Sequence, residues 1–319
     1  MSKQDRVCVV CFNEMSLKSG FTYVKSRDSV VGFEDFGEFG STHRIANHAL
    51  VVMARGICSR WKQPLSYFLV SNSIPAERLK VIVEECISRL HSAGFIPVCV
   101  LCDQGATNQQ MFKLFGVNKD KPFAIIHDMT VNFMFDPPHL LKCLRNNLMK
   151  HDFDVNGHLV KWKYIADFYK RDSQQTLKLA PKLTDRHLNL PPFAAMRVRL
   201  ASQVFSHSVA AGIHTHVVFG ALPEDAVQTA EFIDNIDGLF DCLNAGSLKS
   251  PKIYSCALTA TSAHWKHLQT CRNIFSRLQV VTNKAMQVLC INGFLLTINS
   301  VIRLFNELTI ILNFCSQIA

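Results

Sequence analysis

Asp35 in SVVGFEDFGEFG and Asp103 in VCVLCDQGATNQ each stand at or near the end of an apolar, strand-like run, with glycine close behind. Two carboxylates a few Å apart stay ionised together only when they share a cation. Such a pair on adjacent rigid strands is therefore a candidate Mg²⁺ or Mn²⁺ site. The chemistry of that site would be attack on a phosphodiester, with the metal as clamp. Either aspartate alone reads more readily as a solvated strand end or a helix cap. Asp128 and Asp136 are further candidate ligands.

For Asp35 and Asp103 to meet, their strands must be neighbours. Asp28–Phe36 reads as a strand, His48–Ala54 as a second and Leu65–Ser71 as a third. A helix is expected from Pro75 to Gly94, with Leu79, Ile82, Val83, Cys86, Ile87 and Leu90 at helical spacing, Pro at the start and Gly at the stop. Ile96–Cys102 is apolar throughout, as in a strand buried on both faces. Thr107–Phe115 then reads as a short helix and Phe123–His127 as a fifth strand. Three strands, helix, strand, helix, strand is the ribonuclease H-like succession. By analogy with that fold, the first and fourth strands lie side by side, so Asp35 and Asp103 are expected to face one another.

Asp136-Pro137-Pro138 reads as a helix entry. After it, His139, Lys142, Arg145 and Asn146 share an exposed face, which suits either DNA phosphates or plain solvent. From about Lys150 the texture turns helical: Trp162–Tyr169 is aromatic and polar, and Phe193–Ala211 has small and branched residues suited to close helix packing. Ala226–Leu243 carries Phe232, Ile236, Leu239 and Phe240 on one side. No GxxxxGK[ST] loop occurs, which excludes a Walker-type nucleotide site. Thr282-Asn283-Lys284-Ala285 begins like a guanine-reading NKxD motif, but Met286 stands where Asp is needed.

At 319 residues, 48% hydrophobic and 18% charged, the chain can bury a large core, which argues against disorder. The 34 Lys+Arg against 25 Asp+Glu give +9, which favours a polyanionic partner. Twelve cysteines include two CxxC pairs, Cys8/Cys11 and Cys99/Cys102. Zinc would use that spacing, but both pairs sit in apolar strand sequence where alternate side chains diverge, so they read as reduced, packed thiols. No charged-then-apolar leader follows Met1. Ala285–Phe314 is broken by Asn292, Asn299, Arg303, Asn306 and Glu307, and is expected to form core helices rather than a membrane span.

The segments FNEMSLKSG, VVGFEDFGEFG, CDQGATNQ, FDPPHLLKCLRNNL, MRVRLASQVFSHSVA, FDCLN and INGFLLTINSVIRL, in this order from about Cys8 to Asn306, resemble the P-element transposase family and its vertebrate THAP-domain relatives. The resemblance implies an α/β ribonuclease H-like domain with a mixed five-stranded sheet, interrupted by a mainly α-helical insertion that binds GTP as a structural cofactor. The implied division is residues 1–149, 150–290 and 291–319, the last being the start of the return to the first domain. Asp35 and Asp103 would match the first two catalytic acidic residues and hold the metal. Asp241 and Asn244 of FDCLN would contact the guanine nucleotide, and Lys182 its phosphates; on residues alone, Asp241 and Asn244 read as a helix end before Gly246. DNA would be the partner, in a homo-oligomer in the nucleus. The family's third ligand is a glutamate in a QDxxE-like stretch, which is not found here. Glu307 is the sole acidic residue after Asp241, and reads as part of a solvated helix face. The chain is accordingly expected to show weak or absent catalysis, or to act as a non-catalytic DNA- and GTP-binding regulator.

Overall fold

The computed structural model describes residues 1–282 and 288–311. Residues 283–287 and 312–319, and with them Asn283, Lys284, Ala285, Met286 and Phe314, lie outside the described residues. The chain divides into two compact units. The first comprises Met1–Asp136 with the later part of the last helix from Asn299 onward, and the second begins at Pro137 and runs to Ile298.

The first unit is built on one sheet. Its strands are β1 (Val7–Ser16), β4 (Phe33–Asp35), β5 (Ser41–Ile45), β6 (His48–Gly56), β7 (Lys62–Val70), β8 (Ile96–Cys102), β9 (Phe123–Ile126) and β10 (Met129–Phe135), while β2 (Thr22–Val24) and β3 (Ser29–Val31) form a separate hairpin. The order is β5-β4-β7-β6-β1-β8-β10-β9. β1, β8 and β10 are mutually parallel, and the remaining pairs are antiparallel. The sheet therefore has eight strands rather than five. The ribonuclease H-like order sits in its middle: β7-β6-β1-β8-β10 reads third, second, first, fourth, fifth.

That order corrects the expectation drawn from Asp28–Phe36. The first strand of the fold is β1, whose run VCVVCF is longer and more deeply buried, whereas Asp28–Phe36 is broken in the middle. Gly32 takes φ +121° between β3 and β4, a backbone setting that L side chains rarely adopt, and the chain changes sheets there. A hydrophobic count along 28–36 cannot register that break.

Helix α1 (Ala76–Ser92) buries Leu79, Ile82, Val83, Ile87 and Leu90. It stops as its sequence dictates: Gly94 at φ +84° lets its own N–H reach His91 O and that of Phe95 reach Leu90 O, the two bonds of a Schellman ending. Helix α2 (Ala106–Leu114) turns Phe112 inward, stacked on Phe135 at 4.5 Å and edge-on to Phe133 at 5.0 Å.

The second unit is helical around a three-stranded sheet. Its elements in order are α3 (Pro137–Leu148), β11 (Phe153–Val155), β12 (His158–Val160), α4 (Trp162–Asp172), α5 (Asp185–Leu188), α6 (Val198–Val204), α7 (His207–Val218), α8 (Ala226–Leu243), α9 (His264–Arg277), β13 (Leu278–Val280) and the first half of α10 (Leu289–Ile311). The stretch Phe193–Ala211 is not one helix, because Ser206 is extended (φ −133°, ψ 148°) and restarts the chain as α7. Ile165, Phe168, Val204, Phe205, Ile213, Ile233, Ile236 and Leu239 form its core. Arg145 does not share the exposed face expected for α3; it is fully buried.

By length and composition α10 could cross a bilayer, yet Phe294, Ile298, Leu304 and Leu308 are buried within the protein. In the first unit its second half carries Glu307, which is no solvated face residue. Glu307 accepts a 2.6 Å hydrogen bond from the buried amide of Asn132 and a 2.6 Å bond from Arg303, whose guanidinium lies 3.6 Å over the Phe123 ring.

Candidate functional site

The sheet order decides which acidic residues can cooperate. Asp35 ends β4, four strand spacings from β8, or about 19 Å away. It is exposed, and its Oδ1 accepts the Gly37 N–H at 2.8 Å, which caps the following turn. The structure does not bring Asp35 and Asp103 together. The expectation that they face one another fails because the strand beside β8 is β1.

Three parallel strands lie side by side instead, β8 and β10 ending together while β1 runs on past them to Ser16. The β1–β8 register pairs Cys11 with Leu101, and two residues further on Asn13 is level with Asp103. The β10–β8 register pairs Phe135 with Cys102, and the Asp136 N–H donates to Cys102 O at 2.8 Å, so Asp136 follows on the other side. Glu14, the residue after Asn13, lines one cavity of about 400 Å³ with Asp103, Ser16, His48, Ser73 and Asn108. Burial pushes the Glu14 carboxyl up; the Ile74 N–H and His48 oppose this, and Asp103 adds to it. Asp128, in contrast, sits in the β9–β10 turn at the far end of β10 from Asp136.

Asp103 is held by its own loop. Its Oδ1 accepts the Gly105 N–H at 2.9 Å and the Asn108 amide at 2.6 Å, so α2 fixes this carboxylate from its first turn. Glu14 likewise accepts the Ile74 N–H at 3.5 Å. Among the described residues no three His, Cys, Asp or Glu side chains converge as a metal-holding group. The residues present make a carboxylate pair, Asp103 with Glu14, in which one Asp103 oxygen is saturated by N–H donors and the adjoining Asn13 is an amide, and so they do not fit a two-metal centre. Glu14 and Asn13 escape a reading that starts the sheet at Asp28. Their signal lies in the sequence nonetheless, as an apolar run VCVVCF that ends in a polar pair.

The CxxC pairs are packed in this same sheet. Cys8, Cys99 and Cys102 are buried, and burial pushes the Cys8 thiol up to about 12 and raises those of Cys99 and Cys102 as well. At neutral pH they are small hydrophobic side chains rather than thiolates.

In the second unit, Asp241 lies near the end of α8 and pairs with Lys252 at 2.8 Å rather than with Lys182. Asn244 is the exposed C-cap of α8, and Lys182 is exposed ahead of α5. One turn back from Asp241 stands Asp237, whose Oδ2 accepts the His207 N–H at 3.2 Å. Burial holds the Asp237 carboxyl above its ordinary range; Lys252 and the His207 N–H pull it down, while Asp241 and Asp234 push it up. The native state therefore binds this proton more tightly than the unfolded chain, and stability falls as pH rises from the ordinary Asp range through the raised folded value. Asp237→Asn removes that fall. Urea unfolding at pH 4 and pH 7 is expected to show the variant gaining on the parent as pH rises; a constant difference would contradict the assignment.

A ribonuclease H-like sheet in one unit, followed by a helical unit entered at Pro137, defines a ribonuclease H-like protein with an insertion domain. Two family models match in that order: the TNP-like RNase H N-terminal domain over residues 1–116 and the TNP-like GTP-binding insertion domain over residues 138–256. The chain belongs to the P-element transposase family. It is 26% identical over 280 residues to the Transposable element P transposase of Drosophila melanogaster and 27% identical over 316 residues to DNA transposase THAP9 of Homo sapiens, covering 87% and 92% of this chain. It spans 34% of the length of each, about a third. The solved Drosophila P element transposase strand transfer complex shares the fold, with a TM-score of 0.86 at 22% identity over 99% of this chain and 68% of that one.

Proposed function

We propose that this chain binds DNA and GTP in the manner of a P-element-type transposase, and that by itself it cleaves DNA weakly or not at all. One observation carries the second half. Beside Asp103, β1 brings the Glu14 carboxylate and the Asn13 amide into the same cavity, and Asp103 Oδ1 is already taken by the Gly105 N–H and the Asn108 amide, so among the described residues the cavity holds a carboxylate pair rather than a three-ligand metal group.

DNA binding is supported by the family membership and by the +9 charge. GTP binding is supported by the insertion-domain match, with Asp241 as acceptor for the guanine N1 and N2 donors, Asn244 beside it and Lys182 as a phosphate contact. Any divalent ion would meet Asp103 first, with Glu14 and Asp136 nearest; Asp35 is too distant to share it. The family's domain order, a nuclear location and self-association belong to the same reading.

The test is a plasmid-nicking assay with Mg²⁺ or Mn²⁺, run beside filter retention of DNA and GTP. DNA is expected to be retained, GTP to be preferred over ATP, and Asp241→Ala to abolish that preference by about 10-fold or more. No metal-dependent nicking is expected. Robust nicking that disappears in Asp103→Ala would sink the reading and restore an active transposase core, and loss in Asp35→Ala would contradict the separation of the two aspartates.

A further inference from the structure

The second unit carries an apolar point that its own core does not use. Between α5 and α6 the chain passes through Pro191-Pro192-Phe193 into the short turn Ala194–Met196. Phe193 is 84% exposed and Met196 70%, on either side of the buried Ala194. Phe193 also takes φ +63°, a left-handed setting rare and unfavourable for a bulky side chain. Such a conformation persists only where the surroundings enforce it. Here they do: the fully buried Arg145 donates through Nη2 to Ala195 O at 2.9 Å, and the Asn146 amide adds a 3.4 Å contact to the same carbonyl. The tip is thus held rigidly from inside while its two large apolar side chains point into water.

The flanks of the tip are cationic. Lys178, Lys182, Arg186, Arg197 and Arg199 are all exposed, against the single acidic residue Asp185 within residues 178–199. None of the five enters a salt bridge among the described residues. α5 packs on α6, and His187 bonds Gln203 at 3.0 Å, so the helix that carries Arg186 is docked on the helix that follows Arg197.

We propose that Phe193 and Met196 form an apolar wedge that enters an opened base step of DNA, with Arg197, Arg199 and Arg186 on the adjoining phosphates. The inference rests on the DNA-binding reading above and names where and how the insertion unit contacts the duplex. Charge decides the partner. A free apolar face seeks a protein or a lipid, but an exposed aromatic point ringed by unpaired cations matches a polyanion whose interior is stackable. A step that is already weakened, at a mismatch or a gap, is the least expensive to open.

The test uses the full chain and two duplexes of one sequence, one intact and one with a single-nucleotide gap, each with 2-aminopurine at the central step. The parent is expected to bind the gapped duplex more tightly and to change the 2-aminopurine emission. Phe193→Ala and Met196→Ala alter only exposed side chains. They are expected to lose roughly 5- to 150-fold in preference for the gapped duplex and to lose the emission change, with binding to intact DNA little affected. Arg197→Gln with Arg199→Gln should weaken binding to both duplexes and flatten the log affinity against log salt slope by about 2.

If Phe193→Ala binds both duplexes as the parent does and the emission change persists, the wedge is wrong while DNA binding stands. If the parent retains no DNA, the functional reading fails and the wedge with it. If the parent sediments as a dimer and Phe193→Ala as a monomer with DNA binding unchanged, the tip is a self-association face and the proposal is overturned.

Discussion

Arg145→Ala is expected to lower folding free energy by about 3–5 kcal/mol, the range for emptying a large buried site, and Arg145→Met by far less. The guanidinium is fully buried, donates from Nε to Asn146 at 2.7 Å and from Nη2 to Ala195 O, and leaves Nη1 with no hydrogen-bond partner. No carboxylate pairs with it among the described residues, and burial draws its pKa down. A buried cation in this state contributes packing and two hydrogen bonds but carries a desolvation penalty. Met keeps much of the volume and removes the penalty, and Asn146 still reaches Ala195 O. Urea unfolding of the three proteins checks this; equal losses for Ala and Met would mean that the charge rather than the volume holds the site.

Phe112→Ala should be of similar size, about 3–5 kcal/mol, and should also be felt at Asp103. Phe112 is 2% exposed and ties α2 to β10 through Phe133 and Phe135. The same helix places Asn108 on the Asp103 carboxylate at 2.6 Å. Loosening α2 therefore frees that oxygen as well as the core. Amide hydrogen exchange in the variant is expected to speed up through residues 105–115 ahead of β1. Unchanged protection there would show that α2 is held by something other than the phenylalanine cluster.

Much of this architecture is readable from residues. Ile96–Cys102 and Ala226–Leu243 form one strand and one helix with the bounds their patterns predict, and α1 falls within two residues of its Pro and Gly signals. The site is less legible, for a physical reason. Apolar alternation marks a strand, but the order of strands depends on long-range pairing that no window contains. Asp28–Phe36 and Val7–Ser16 look equally strand-like, and choosing the former moved the expected carboxylate from the strand beside β8 to one four positions away. Arg145 escapes for a related reason. Helical spacing puts it on one face with Leu141 and Leu148, and only its charge argued for exposure; α6 and the 194–196 turn cover that face.

The bond between Asn132 and Glu307 joins residues 175 positions apart. A ribosome adding about 5–20 residues per second needs on the order of 10–35 s to supply the second partner after the first has emerged. Throughout that interval the β8–β10 face, with the buried amide of Asn132 on it, waits uncovered while the helical unit is made. The ribonuclease H-like half therefore receives this helix only after the helical unit is made, although it is begun first, and translation speed becomes a variable in how much of the protein folds.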